Sequence, residues 1–229
     1  MKVVAVIPAR GGSKGIPKKN IVNICNKPLI SWSIMQAKAT SGIDSVWVSS
    51  DSEEILEVAQ SFGSSVICRP DNISGDNASS ESAWLHALEF IESAGIQVDV
   101  MIGMQATSPI RETKDLNLAL ELFYKNGLDS LLSCVEIEDF FMWKYSENNS
   151  LVGINHDYRN RRRRQLIEKR YLENGSFYIF KSDIIRKEHN RLGGKIGMYV
   201  MEKYKMFQID TYEDITLCES IMRGYGLDR

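Results

Sequence analysis

No apolar run in this 229-residue chain reaches the length of roughly 18 to 20 residues that a membrane-crossing helix needs. The first residues run straight into a short apolar segment, without the charged and then apolar pattern of a secretory leader. No membrane role and a cytoplasmic location are therefore expected. The four cysteines, Cys25, Cys68, Cys134 and Cys218, are far apart and form no C-x-x-C pair, which argues for reduced thiols rather than a disulfide framework. The three histidines, His86, His156 and His189, are too scattered for a zinc site. A surplus of positive charge is also missing: 28 Lys and Arg stand against 30 Asp and Glu, a net charge of -2, which argues against a general nucleic-acid binder. There is no internal repeat and no low-complexity linker. The length suits a single domain, and a hydrophobic content of 43% is ample for its core.

What basic charge there is lies in clusters, which points to small acidic ligands. The first cluster organises the chain. An apolar run, Val3 to Ile7, reads as a buried strand. It leads into Ile7-Pro8-Ala9-Arg10-Gly11-Gly12-Ser13-Lys14-Gly15-Ile16-Pro17-Lys18-Lys19-Asn20. Glycines let a backbone approach a ligand and turn its N–H groups inward, while Arg and Lys supply fixed charge for phosphate oxygens. A strand followed by such a loop fits a polyphosphate cradle. It is not the G-x-x-x-x-G-K-[ST] loop of ATPases, and Gly11, Gly12 and Gly15 do not have the G-x-G-x-x-G spacing of dinucleotide sites. Composition alone also allows a basic, solvated surface turn.

Periodicity then predicts an alternation of strands and helices. Strands are expected at Ser45–Ser49, Val66–Cys68, Val98–Met104 and Ser130–Val135, and helices at Leu29–Ala39, from near Glu53 with Ser52 as its cap, at Ser79–Glu92 and at Lys114–Asn126 with Gly127 as its stop. Such alternation predicts an α/β fold with a doubly wound, mostly parallel sheet, whose ligands sit beyond the carboxyl ends of the strands. The first loop, the Ser50-Asp51-Ser52 turn and the loop from Gln105 all fall on that rim. After Glu136 the pattern breaks. Residues 137–170 carry Phe140, Phe141 and Trp143, then the run Arg159-Asn160-Arg161-Arg162-Arg163-Arg164, and read as an excursion packing on a neighbour. Further strands are expected at Ser176–Phe180, Gly197–Met201 and Met206–Ile209, and a closing helix at Tyr212–Arg223.

The loop from Ala9 to Asn20 resembles the signature loop of the sugar-activating cytidylyltransferases and is most similar to the CMP-sialic acid synthetases (N-acylneuraminate cytidylyltransferases). The likeness continues in order at Arg69-Pro70, Gln105-Ala106-Thr107-Ser108-Pro109, Arg163-Arg164-Gln165, Glu173-Asn174-Gly175-Ser176-Phe177-Tyr178 and the stretch around Asp210. It implies a Rossmann-like nucleotidyltransferase of one domain, 1–229, in which residues 137–170 form a dimerisation arm of a homodimer. It implies transfer of CMP from CTP to a nine-carbon 2-keto sugar acid, with release of pyrophosphate and with Mg²⁺.

The resemblance also assigns residues. Arg10, Ser13, Lys14 and Lys19 would grip the triphosphate, Gly11 and Gly12 would add backbone donors, and Ala9 and Asn20 complete the nucleotide loop. Chemistry leaves Lys14 and Lys19 both open as the key cation; the family's Lys-Asn pair points to Lys19, with Arg10 and Asp210 as its catalytic companions. Arg69 would contact cytosine, although its spacing equally fits a surface ion pair, and Ala78 and Ser80 would close the base pocket. On the sugar side stand Gln105, which could equally be a strand-end residue facing water, and Lys144, which could equally be a plain surface lysine. Arg164, Gln165, Asn174 and Tyr178 join them. The family's metal-binding Asp-x-Asp pair is Gln208-Ile209-Asp210 here, so Asp210 with Gln208 is the expected metal set. Asp214 is better read as an acid at a helix start. The alternatives are a cytidylyltransferase for an eight-carbon acid, another nucleotide-sugar pyrophosphorylase, or a nucleotide-binding regulator without activity.

Overall fold

A computed structural model describes the whole chain except residues 138, 139, 161 and 162, and gives Arg164 by its backbone only. The chain opens with β1 (Val3–Pro8), buried on both faces. After the glycine-rich loop, a two-residue antiparallel hairpin, β2 (Asn23–Ile24) and β3 (Lys27–Pro28), leads into α1 (Leu29–Ala39). Three strand–helix units follow: β4 (Ser45–Ser50) with α2 (Glu53–Ser61), β5 (Ser65–Cys68) with α3 (Ser80–Ser93), and β6 (Val100–Met104) with α4 (Thr113–Lys125). Then come β7 (Ser130–Ile137), a separate small hairpin of β8 (Trp143–Tyr145) and β9 (Leu151–Gly153), and the long β10 (Arg170–Lys181). The chain closes with α5 (Ser182–Glu188), β11 (Ile196–Met201) and α6 (Tyr212–Tyr225).

Seven strands form one sheet in the order β11-β7-β10-β6-β1-β4-β5. Every pairing is parallel except the two made by β10, which lies antiparallel between β6 and β7. Parallel strands need both faces covered, which explains why β1 and β6 are apolar throughout. One face packs against α1, α2 and α4 through Ile30, Ile34, Ile55, Leu116 and Phe123. The other packs against α3 and α5 through Trp84, Leu88, Ile91 and Ile185. A third apolar cluster joins Ile16, Ile24, Trp32, Ile209, Cys218 and Met222, so α6 and the small hairpin support the glycine-rich loop from beneath.

The structure departs from the periodicity reading in several places. Residues 206–209 are not a strand: Lys203–Met206 is a 3-10 turn, and Phe207, Gln208 and Ile209 pass without ladder partners. The strand expected at Ser176–Phe180 begins six residues earlier, at Arg170. Its Asn174-Gly175 pair is not a chain-reversing turn but a bulge, where the register with β7 shifts between Glu173 and Tyr178 and Gly175 adopts φ 63. Ser52 occupies the N-cap of α2 yet makes no capping hydrogen bond; its own N–H donates to Ser50 Oγ at 3.0 Å. Helix α5 and both small hairpins were not expected, because segments of two to seven residues carry too little periodicity. All four cysteines are free thiols, as expected; Cys25, Cys134 and Cys218 are buried and Cys68 is exposed.

The carboxyl end of the sheet is braced by a buried lysine. Lys205 Nζ, its side chain fully buried, lies 2.6 Å from Glu112, 2.8 Å from Asp115 and 2.7 Å from Glu202. Lys114 adds contacts to Glu112 and Glu202 at 3.1 and 3.0 Å. Burial opposes the charged form of Glu202, but hydrogen bonds from Lys205 and Lys114 outweigh it and hold that carboxyl at about 2. The same contest lowers Glu112, whereas burial pushes the Asp115 carboxyl up against the pull of Lys205. Replacing the cation leaves the buried Asp115 without a partner charge, while Glu112 and Glu202 keep only Lys114, so Lys205→Met should lose about 3–5 kcal/mol in chemical denaturation. Glu112 and Glu202 titrate lower folded than unfolded, so the unfolded chain binds more protons as pH falls. Stability should therefore drop from about pH 4.5 toward about pH 2, and the Lys205→Met variant should lose the part of that acid dependence that Lys114 does not supply.

Candidate active site

Because β1, β4, β5 and β6 run parallel, their carboxyl ends share one rim, and the loops leaving them meet there. A cleft of about 290 Å³ opens between these loops. Six of the expected residues line it: Arg10, Asn20, Arg69, Ala78, Ser80 and Gln105. The loop after β1 supplies the cations. Ala9 is buried, its N–H donating to Ser49 O at 2.9 Å, so that strand β4 fixes the point where the loop leaves the sheet. Asn20 Nδ2 donates to Arg10 O at 2.9 Å and closes the loop across its own neck. Ser13 N bonds Gly11 O at 3.2 Å in a tight turn, and Gly12 has no neighbour near its missing Cβ. The N–H of Gly11 is already taken by Asp51 Oδ1 at 2.9 Å, so the backbone donors of this loop are not all free for a ligand.

Each of the loop's expected cations has an acidic partner. Arg10 Nη1 and Lys14 Nζ both reach Asp76, at 2.9 and 2.8 Å, and Lys19 Nζ meets Asp210 Oδ1 at 2.8 Å. The side chain of Lys19 is 16% exposed and that of Asp210 is 72% exposed, so the lysine is held inside the structure while the carboxylate stays open to solvent. Hydrogen bonds from Lys14 and Arg10 hold the Asp76 carboxyl below the usual range. Arg69 is buried rather than the surface ion pair its spacing also allowed: its Nε donates to Ser74 Oγ at 3.1 Å and its Nη2 lies 3.8 Å from Asp51. Burial lowers its pKa while Asp51 opposes the shift. Asp51 and Asp76 were not among the expected site residues. Asp51 lay on the noted polar turn, but nothing in the run 71–79 singled out Asp76 before the fold brought it across the cleft.

Gly15 explains how the two ends of the chain meet. A Cβ there would lie 2.5 Å from the carbonyl oxygen of Asp210, a backbone atom that cannot step aside. Beside it, Ile209 N donates to Thr107 O at 2.9 Å, tying this segment to the loop after β6. Asp214 caps α6, its carboxylate accepting from Asp210 N at 3.0 Å and Thr211 N at 2.7 Å. Gln208 Nε2 donates to Asn174 O, which leaves its side-chain oxygen available.

The remaining expected residues are not among those lining the cleft. Asn174 is buried with its amide fully engaged: Oδ1 accepts from Ser133 Oγ at 2.7 Å and Ser176 N at 3.3 Å, and Nδ2 donates to Met201 Sδ at 3.2 Å and Lys205 O at 3.1 Å. This employment is structural and leaves the amide no free donor. Tyr178 is 3% exposed; its hydroxyl donates to Glu173 at 2.5 Å, and burial pushes its pKa up. Lys144, on β8, and Gln165, in the 3-10 turn Arg164–Leu166, are exposed on the excursion after β7. Of the four successive arginines, Arg161 and Arg162 lie outside the described residues. The one tight group of carboxylates among the described residues, Glu112, Asp115 and Glu202, has its ligand atoms within 4.8 Å of one another, but the ammonium of Lys205 sits among them. The expected pair, Asp210 and Gln208, is not part of that group, and Asp210 is paired with Lys19.

A parallel sheet interrupted by one antiparallel strand, with a glycine-rich basic loop after β1 and a cleft on the carboxyl rim, is a Rossmann-like fold of the kind nucleotidyltransferases have. The solved CMP:2-keto-3-deoxy-manno-octonic acid synthetase complexed with CTP matches it with a TM-score of 0.74 at 17% identity, covering 98% of this chain and all of that one. The chain belongs to the cytidylyltransferase family, whose model matches residues 4–225. It is 38% identical over 227 residues to N-acylneuraminate cytidylyltransferase A of Danio rerio, covering 98% of this chain and 51% of that protein. It is 32% identical over 235 residues to pseudaminic acid cytidylyltransferase of Campylobacter jejuni, covering 97% of each. The chain thus spans about half the length of the fish relatives. No helix among the described residues is long and apolar enough to cross a membrane.

Two outcomes follow for the loop. Gly15→Ala should fold but part the loop from Asp210, lowering turnover by at least tenfold with little change in thermal midpoint. Asp76→Asn should free Arg10 and Lys14 and tighten binding of inorganic triphosphate by up to about fivefold at low salt, an advantage that fades as salt rises; titration calorimetry measures it.

Proposed function

We propose that this protein transfers CMP from CTP to a nine-carbon 2-keto sugar acid, a sialic acid or related nonulosonic acid, releasing pyrophosphate. The observation that carries the reading is the convergence on one cleft of Arg10, Asn20, Arg69, Ala78, Ser80 and Gln105. The names of the relatives, which act on N-acylneuraminate and pseudaminic acid, support the same substrate class. In this reading the triphosphate displaces Asp76 from Arg10 and Lys14, and cytosine enters between Arg69 and the start of α3 at Ser80. In this reading the smaller pyrimidine is selected by hydrogen bonds from Ser80 and the backbone near Ala78, which line the cleft. The anomeric hydroxyl of the sugar attacks the α-phosphorus, the bond to the β-phosphate oxygen breaks, and the charge that develops on pyrophosphate is met by Lys19 and Arg10. Gln105, at the end of β6, orients the sugar by giving and accepting hydrogen bonds.

Cytidylyltransferases generally use a divalent metal, and Mg²⁺ fits the donors available. Asp210 offers an exposed carboxylate and Gln208 an amide oxygen, hard ligands that leave room for phosphate oxygens and water. The ion would neutralise phosphate charge. A neutral Gln208 in place of an acid makes Asp210 the principal protein ligand.

Residues 137–170 are proposed as the dimerisation arm of a homodimer. Phe140, Trp143, Tyr145, Leu151 and Leu166 are all large, apolar and exposed there, an arrangement that favours coverage by a second copy. Arg164, Gln165 and Lys144 would then serve the partner's cleft, and Tyr178 and Asn174 would frame the sugar side from beneath. A cytoplasmic site of action suits a chain with free thiols.

Pyrophosphate release from CTP with a panel of nonulosonic acids, with and without Mg²⁺, tests the reading. Metal-dependent release with a nine-carbon acid is expected; release only with an eight-carbon acid would replace the substrate class. Lys19→Ala and Arg10→Ala should remain folded and lose turnover by two or more orders of magnitude. A mixed dimer of Arg164→Ala with Lys19→Ala should recover activity above either parent, and failure to do so would count against sharing of the arm.

A further inference from the structure

Arg111, in the loop between β6 and α4, is 2% exposed. Burial drives its pKa down to about 9. Its Nη1 donates to Ser176 O at 2.6 Å and Ser176 Oγ at 3.0 Å, and its Nη2 donates to Ser33 Oγ at 2.7 Å. Its Nε has no hydrogen-bond partner, and among the described residues no carboxylate lies within ion-pair distance of it. Asp115, whose charge it feels, is held by Lys205. A buried cation without a counterion is costly, and if packing were the whole purpose an apolar side chain would do better.

The two serines that Arg111 bridges are also the two groups that hold Gln105. Ser33 Oγ donates to Gln105 O at 3.2 Å, and Gln105 N donates to Ser176 O at 3.2 Å. Ser33 comes from the buried face of α1 and Ser176 from within the irregular stretch of β10 between Glu173 and Tyr178. Both peptide groups of Gln105 are therefore fixed by atoms that the guanidinium fork holds in place, while the Gln105 side chain lines the cleft. The other side of the loop is pinned as well, Gln36 Nε2 donating to Pro109 O at 2.9 Å and Arg111 O at 2.5 Å.

We propose that Arg111 is a positioning residue: through Ser33 and Ser176 it sets Gln105 against the acceptor sugar acid, and its uncompensated charge adds a positive potential behind the place where that anion binds. This rests on the reading of Gln105 as a sugar ligand given above. A lysine would keep the charge but could not bridge both serines, because it lacks the planar fork.

The test is steady-state pyrophosphate release with the full-length protein, varying the sugar acid and CTP separately, in Ser33→Ala, Arg111→Lys, Gln105→Ala and the Ser33→Ala/Gln105→Ala double variant. Ser33→Ala and Arg111→Lys should each raise KM for the sugar acid roughly tenfold and leave KM for CTP within about twofold. In the Gln105→Ala background, Ser33→Ala should add no further rise. Equal rises in both KM values, or a Ser33→Ala effect that persists in full without Gln105, would overturn the positioning role. If Arg111→Lys fails to fold, Ser33→Ala decides alone. A wild-type protein that turns over no sugar acid at all overturns the functional reading and this inference with it, whereas normal wild-type turnover with unselective variants overturns only the inference.

Discussion

The backbone of Gly15 passes so close to the carbonyl of Asp210 that no side chain fits between them, and that constraint sets how the glycine-rich loop meets the segment before α6. It brings a loop near the start of the chain against the segment that precedes the last helix. The Lys19–Asp210 contact then spans 191 residues of sequence. The third apolar cluster supports the approach from below, with Ile16 from the loop and Ile209 from the other segment sharing one core. The Ile209–Thr107 hydrogen bond draws in the loop after β6, so three segments distant in sequence form one wall. Loosening any of the three would move the cationic loop relative to Gln105.

Charge in this protein is arranged in two ways. Around the cleft mouth and its loop, Asp76 and Asp210 pair with cations while staying exposed, so those pairs exchange readily with solvent and with an anionic ligand. Beneath the rim, Lys205 is sealed among three carboxylates and cannot exchange without unfolding the turn that carries it. From spacing alone the acids of the second group resemble a metal site, and only the position of the lysine assigns them to structure.

Much of the fold could be read from the amino-acid order because parallel strands buried on both faces announce themselves. Val3–Pro8 and Val100–Met104 are apolar without interruption, and the bounds of α1 agree to the residue. The loop from Ala9 to Asn20 stood out by its glycines and basic residues, although composition alone also allowed a solvated turn and the resemblance was needed to choose. Less legible was anything decided by tertiary contact. Asn174-Gly175 has the composition of a turn, yet the ladders on either side carry the strand through it as a bulge. Asp51 lay on a polar turn but Asp76 carries no local signal, and their contacts exist only because β4 and the loop after β5 end beside β1. Ser33 sits mid-helix at a position periodicity assigns to the core, and its hydroxyl is accounted for only once Gln105 and Arg111 lie against it.

The placement of β10 has a consequence for how the chain assembles. β6 and β7 are consecutive strands, but they never pair; the strand between them is made only after residues 138–169 have followed β7. Until Arg170–Lys181 is synthesised, both strands present open hydrogen-bonding edges to their surroundings, the condition under which sheets join with strangers. At a translation rate of about 5–20 residues per second, that interval lasts roughly two to nine seconds. The excursion after β7 is therefore also a delay line, during which β6 waits at the edge of a four-stranded sheet and β7, whose other neighbour β11 comes later still, waits unpaired.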